Sequence, residues 1–91
     1  MSAYVHLLYA ERALKELRKL DRKERQRILD KLETYAALPD PLSSAKVLTG
    51  ALAGFYRYRI GVYRVIFEVH PNGEITVLYV LSVKHRKDVY R

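Results

Sequence analysis

Two hydrophobic periods divide the chain. The run YVHLLY, Tyr4 to Tyr9, is aromatic and aliphatic and reads as a short first strand. The period then lengthens. Ala10, Ala13, Leu14, Leu17 and Leu20 recur at three- and four-residue steps, which gathers them on one stripe of a helix. Glu11 precedes Lys15 by four residues, the order that supports a helix on its wet side. Asp21-Arg22-Lys23-Glu24 has the spacing of a capping box and opens a second helix. Its apolar face is Ile28, Leu29, Leu32, Tyr35 and Ala36, and Pro39-Asp40-Pro41 stops it. The prediction is a helical hairpin from Ala10 to Leu38. Leu42 to Gly54 connects it to the rest, with Lys46-Val47-Leu48 as a short strand.

Beyond Gly54 the period shortens to two. Phe55 to Ile60, Val62 to His70 and Glu74 to Val83 are rich in Val, Ile, Tyr and Phe. Gly61 marks one turn, and Asn72-Gly73 is a strong hairpin signal for the next. Helices grouped together and strands grouped together define an α+β class. The expected architecture is one domain over residues 1–91, its N-terminal strand and helical hairpin packed on one face of a small antiparallel sheet.

Register then sorts the side chains. A two-residue turn at Asn72-Gly73 sets Pro71 against Glu74 and Arg64 against Leu81. A two-residue turn at Ile60-Gly61 sets Arg59 against Val62 and Arg57 against Arg64. Opposed residues share a face, so Arg57, Arg59 and Arg64 fall on one side of the sheet. Tyr56, Tyr58, Tyr63, Val65, Phe67, Val69, Leu78 and Val80 fall on the other, which is the side to bury under the helices. Like charges directly opposed destabilise a sheet, and an anion between them removes the conflict. The tail brings Lys84, His85, Arg86 and Tyr90 towards the same patch. A merely solubilising arginine face is the alternative.

Charge agrees with the anion reading. The chain of 91 residues carries a net charge of +7, with a pI near 9.8. That suggests a polyanionic partner, nucleic acid first and an acidic protein second. With no cysteine, thiol catalysis and disulfides are excluded. His6, His70 and His85 are scattered, Glu68 is the one acid near the arginines, and no nucleotide-binding glycine motif occurs. No metal site or cofactor is expected. With neither a signal segment nor a membrane span in the sequence, a soluble cytoplasmic protein is expected. RNA supplies its own nucleophile, the 2′-hydroxyl. Arginines can stabilise the pentacovalent phosphate. Tyr90 and His85 are the candidates for proton transfer, although Tyr90 can instead anchor the tail and His85 can be an ordinary loop histidine.

Three segments carry a family likeness: KVLTG (Lys46 to Gly50), RYRIGVYRVIFEV (Arg57 to Val69) and SVKHRKDVYR (Ser82 to Arg91). Together they resemble the RelE branch of the RelE/ParE toxin superfamily. The resemblance implies a toxin of a type II toxin–antitoxin system, an endonuclease that cuts mRNA in the ribosomal A site by 2′-hydroxyl attack and so stops translation. It implies that Arg57, Arg59, Arg64, Arg86 and Tyr90 act on the RNA. Arginine stays protonated, so proton abstraction falls to Tyr90, Lys84 or His85. It implies a heteromeric complex with a cognate antitoxin, whose amphipathic, acidic segment could cover Ile66, Val77 and Tyr79. Two other readings stay open: a ParE-like inhibitor of DNA gyrase, and a non-catalytic nucleic-acid-binding module.

Overall fold

The computed structural model describes residues 4–72 and 75–88. Strand β1 (Tyr4–Tyr9) leads into helices α1 (Glu11–Arg18) and α2 (Arg22–Ala36). A single 3-10 turn (Pro41–Ser44) precedes the two-residue strand β2 (Lys46–Val47), and a second (Gly50–Leu52) precedes β3 (Tyr56–Ile60). Strands β4 (Tyr63–Asn72) and β5 (Ile75–His85) complete a five-stranded sheet in the order β1-β5-β4-β3-β2. The α+β class and the helical hairpin on one face are as the patterning predicts. The sheet is mixed, however, because β1 runs parallel to β5. The meander starts at the far edge with β2 and reverses three times, and its last strand lies beside β1 in the same direction.

Each helix is held by a short apolar stripe. Ala13 and Leu17 of α1 and Ile28 and Leu32 of α2 are buried, whereas Leu14 is left exposed. Asp21 caps α2, its Oδ1 accepting from the Glu24 backbone N–H at 2.9 Å. Beneath the hairpin, alternate residues of the meander point inward. Tyr58, Ile60, Val65, Phe67, Leu78, Val80 and Val83 are buried there. Tyr58 is the centre of this layer. Its ring stacks on Phe67 at 4.4 Å and lies against Tyr35 at 4.6 Å. Its hydroxyl donates to the Pro41 carbonyl at 2.7 Å, fastening the connection after α2 to the sheet.

The observed register differs from the expected one by two residues at both turns. Ile60 pairs with Tyr63, so Arg59 faces Arg64 and Arg57 faces Ile66. Pro71 pairs with Thr76, and Asn72 is the last residue of β4, opposite Ile75. Gly73 and Glu74 lie outside the described residues. A slip of two preserves which side chains share a face, so the sorting of arginines from tyrosines survives it. A bulge adds a further change. Ile66 pairs with Ser82 but Phe67 pairs with Val80, which leaves Leu81 as the extra residue. Arg64 therefore lies opposite Lys84 rather than Leu81.

Burial drives the Tyr58 phenol up to about 12, with smaller contributions from Tyr35 and the Asp40 carboxylate. An unfolded tyrosine ionises near pH 10, so the folded state binds this proton more tightly. The stabilisation it gives is complete below the unfolded value and is lost as pH rises through the folded one. Tyr58→Phe should lower stability by about 1 kcal/mol at neutral pH through the lost bond to Pro41. Urea denaturation at neutral pH and at about pH 11 should show the wild type losing more stability than the variant. Equal losses would remove Tyr58 as the cause.

Candidate anion-binding site

The face turned away from the helices carries two cross-strand rows. One runs Lys46–Arg57–Ile66–Ser82 and the other Arg59–Arg64–Lys84. Neither row contains an acid. Arg57 and Arg64 are half-buried with their Nε atoms enclosed, while Arg59 stands exposed. Strand alternation alone puts these arginines here, because Tyr56, Tyr58, Tyr63 and Val65 occupy the inward positions between them.

Arg86 joins the second row by a backbone bond. Its N–H donates to the Val62 carbonyl at 2.8 Å, which carries the β4–β5 ladder one residue past β5 and seats Arg86 at the β3–β4 turn. Arg59, Gly61, Val62, Tyr63, Arg64 and Arg86 line a hollow of about 90 Å³ there. Three guanidinium-bearing residues around so small a space suit an anion held by charge-assisted, paired hydrogen bonds. Gly61 makes the turn with a φ of 60°, a left-handed conformation, and Arg27 of α2 packs over it. A Cβ at this position would meet Arg27 Nη1 at 3.1 Å. Tyr63 borders the hollow, but burial, then the carboxylates of Glu24 and Asp21, raise its phenol, so it stays protonated near neutrality.

The remaining sequence candidates separate. His85 pairs with Tyr63 and so lies on the helix-side face, edge-on to that ring at 5.5 Å. Its Nδ1 accepts from the Lys87 backbone N–H at 3.2 Å. It is thus not brought to the arginines, because the ladder alternates strictly from Lys84 to Arg86. Lys84 does share the arginine row, yet its Nζ is ion-paired to Glu16 of α1 at 2.5 Å. Tyr90 lies outside the described residues. Lys46 is a further cation of this face. Its stretch was legible, but only the β2–β3 pairing sets it opposite Arg57.

The face changes character towards β1. Leu8 is exposed, Ile66, Val77 and Tyr79 are half-buried, and Glu68 contacts the His70 ring nitrogen at 3.3 Å. Among the described residues, no three His, Asp or Glu side chains form a group able to hold a metal ion. Guanidinium groups bind and stabilise anions but do not abstract protons. The described residues of this face can hold an anion by charge-assisted hydrogen bonds.

The chain belongs to the family described as the ParE toxin of the type II toxin–antitoxin system parDE, which it matches over residues 7–90. Toxin RelG of Mycobacterium tuberculosis is 38% identical over 52 residues, which cover 57% of this chain and 58% of that toxin. The match thus spans little more than half of that relative's length. The RelBE2 toxin–antitoxin complex of the same organism contains a chain that superposes with a TM-score of 0.77 at 26% identity, over 97% of both chains. The archaeal RelE–RelB complex of Pyrococcus horikoshii gives 0.66 at 28% identity, over 98% of this chain and all of that one (100%). The intact RelBE complex of E. coli gives 0.64 at 29%, over 91% and 96%.

Gly61→Ala should cost about 1–3 kcal/mol, since alanine must take up a left-handed conformation beneath the Arg27 guanidinium. Urea denaturation measures this. An unchanged midpoint would show that the turn does not require glycine.

Proposed function

We propose that the chain is a RelE-type toxin that cuts mRNA in the ribosomal A site and so blocks translation. The observation that carries this reading is the direct opposition of Arg59 and Arg64, with Arg86 closing the same hollow. Opposed like charges cost stability in a sheet, and a phosphate between them offsets that cost. The cut bond would be the phosphodiester on the 3′ side of a ribose whose 2′-hydroxyl attacks. Arg59, Arg64 and Arg86 would stabilise the pentacovalent phosphate, and Arg57 with Lys46 would hold the neighbouring backbone. Tyr90 is assigned proton transfer on the strength of the sequence resemblance. His85, on the opposite face, is assigned no part.

The RelE character of the full-length structural matches supports this branch. The family description names ParE, and that favours a second reading, poisoning of DNA gyrase without RNA cleavage. Under either reading, a cognate antitoxin would keep the toxin silent by laying an amphipathic, acidic segment over the open face, its apolar side towards β1. Ile66, Val77 and Tyr79 would contact its apolar side.

Primer extension on a translated mRNA in a cell-free system separates the two readings. Wild type should give codon-phased cuts only with ribosomes, and Arg64→Ala should reduce them by about 10²-fold or more while melting normally. Active translation without cuts, together with inhibited supercoiling by gyrase, would overturn the ribonuclease reading. For the antitoxin surface, Val77→Ala with Tyr79→Ala should weaken the toxin–antitoxin complex by about tenfold or more, read by titration calorimetry. Unaltered affinity in a folded variant would move the antitoxin elsewhere.

A further inference from the structure

Glu16 touches more than an exposed helix carboxylate needs to. The edge of β5 is covered by β1 only as far as Val80, where Tyr9 pairs and the Ala10 N–H donates to the Val80 carbonyl at 2.8 Å. Beyond the bulge, no strand among the described residues lies along the outer edge of β5. Glu16 fills that place. Its Oε1 accepts from the Val83 backbone N–H at 2.8 Å, and its Oε2 pairs with Lys84 Nζ at 2.5 Å and, more loosely, with Arg12 Nε at 3.7 Å. The carboxylate is mostly enclosed, with 14% of the side chain exposed.

The consequence concerns charge. Lys84 stands directly opposite Arg64, where a mobile ammonium would compete for any phosphate bound by the guanidinium groups. Val83 N–H points away from β4, so a carboxylate that accepts from it lies on the outer side of β5 and draws Lys84 that way. We propose that Glu16 is a positioning residue that restrains Lys84 at the rim of the arginine row, so that the arginines alone decide where the phosphate sits. This rests on the reading of that face as an RNA site. Glu16 acts through Lys84 and touches no substrate.

The test uses Glu16→Gln, whose amide oxygen can still accept from Val83 N–H, and the same change in a Lys84→Gln background. The probe is a labelled single-stranded RNA oligonucleotide, titrated over a range of salt. Freeing Lys84 should tighten RNA binding and steepen the salt dependence by about 0.7, the increment for one more phosphate contact on single strands. Cleavage of ribosome-bound mRNA, per RNA bound, should fall about tenfold or more as the phosphate is pulled off its place. With Lys84→Gln already present, Glu16→Gln should change neither quantity. A purely structural Glu16 would instead lower the melting temperature and weaken binding in both backgrounds, and that outcome overturns the proposal. So does an unchanged salt slope. If Glu16→Gln does not fold, Lys84→Gln alone decides. A restrained Lys84 leaves the salt slope unaltered, whereas a slope shallower by about 0.7 defeats the inference. A wild type that cuts no mRNA defeats the ribonuclease reading, and the RNA-binding comparison still decides the role of Glu16.

Discussion

One extra residue in β5 decides what the sheet presents on each side. Alternation from Leu78 and Val80 would send Ser82 and Lys84 into the core beneath the helices. The bulge at Leu81 reverses the phase, so Val83 is buried instead and Lys84 comes out opposite Arg64. Burying a lysine without a partner costs far more than a bulge. The apolar layer and the cationic face are thus products of one local irregularity. The same irregularity occurs where β1 runs out, so α1 must supply the missing edge acceptor through Glu16.

The core and the site are two faces of the same strands. Tyr58 and Phe67 stack inward while Arg57, Arg59 and Arg64 stand outward between them. The aromatic layer is rigid, closely packed and fastened to the connection after α2 by the Tyr58 hydroxyl. Such a base fixes where the arginine backbones stand; the half-buried Arg57 and Arg64 are held more closely than the exposed Arg59 and Arg86. The Arg86 backbone bond to Val62 extends this rigidity to the start of the tail.

The open face is divided along its length. Towards β2 and β3 it is cationic; towards β1 it is mixed, with Leu8, Val77 and Tyr79 set among His6, His70 and Glu68. A phosphate backbone suits the first half and an amphipathic peptide the second. A partner that spans both would combine apolar side chains with carboxylates.

Much of this was legible in the chain itself. The change of period after Gly54 separates helices from strands, and alternation within Phe55 to Val69 sorts arginines from tyrosines whichever two-residue slip the turn adopts. Along β3 and β4 sidedness depends only on parity, which the sequence carries; on β5 the bulge at Leu81 overrides it. What needed the tertiary structure is everything that depends on which residues meet across strands. Arg59 rather than Arg57 opposes Arg64, Lys46 reaches the row beside Arg57, and His85 turns to the helix side. The parallel pairing of β1 with β5 and the hold of Glu16 on Lys84 join residues far apart in the chain. Such contacts are chosen by the packing of the whole fold, and no local period encodes them.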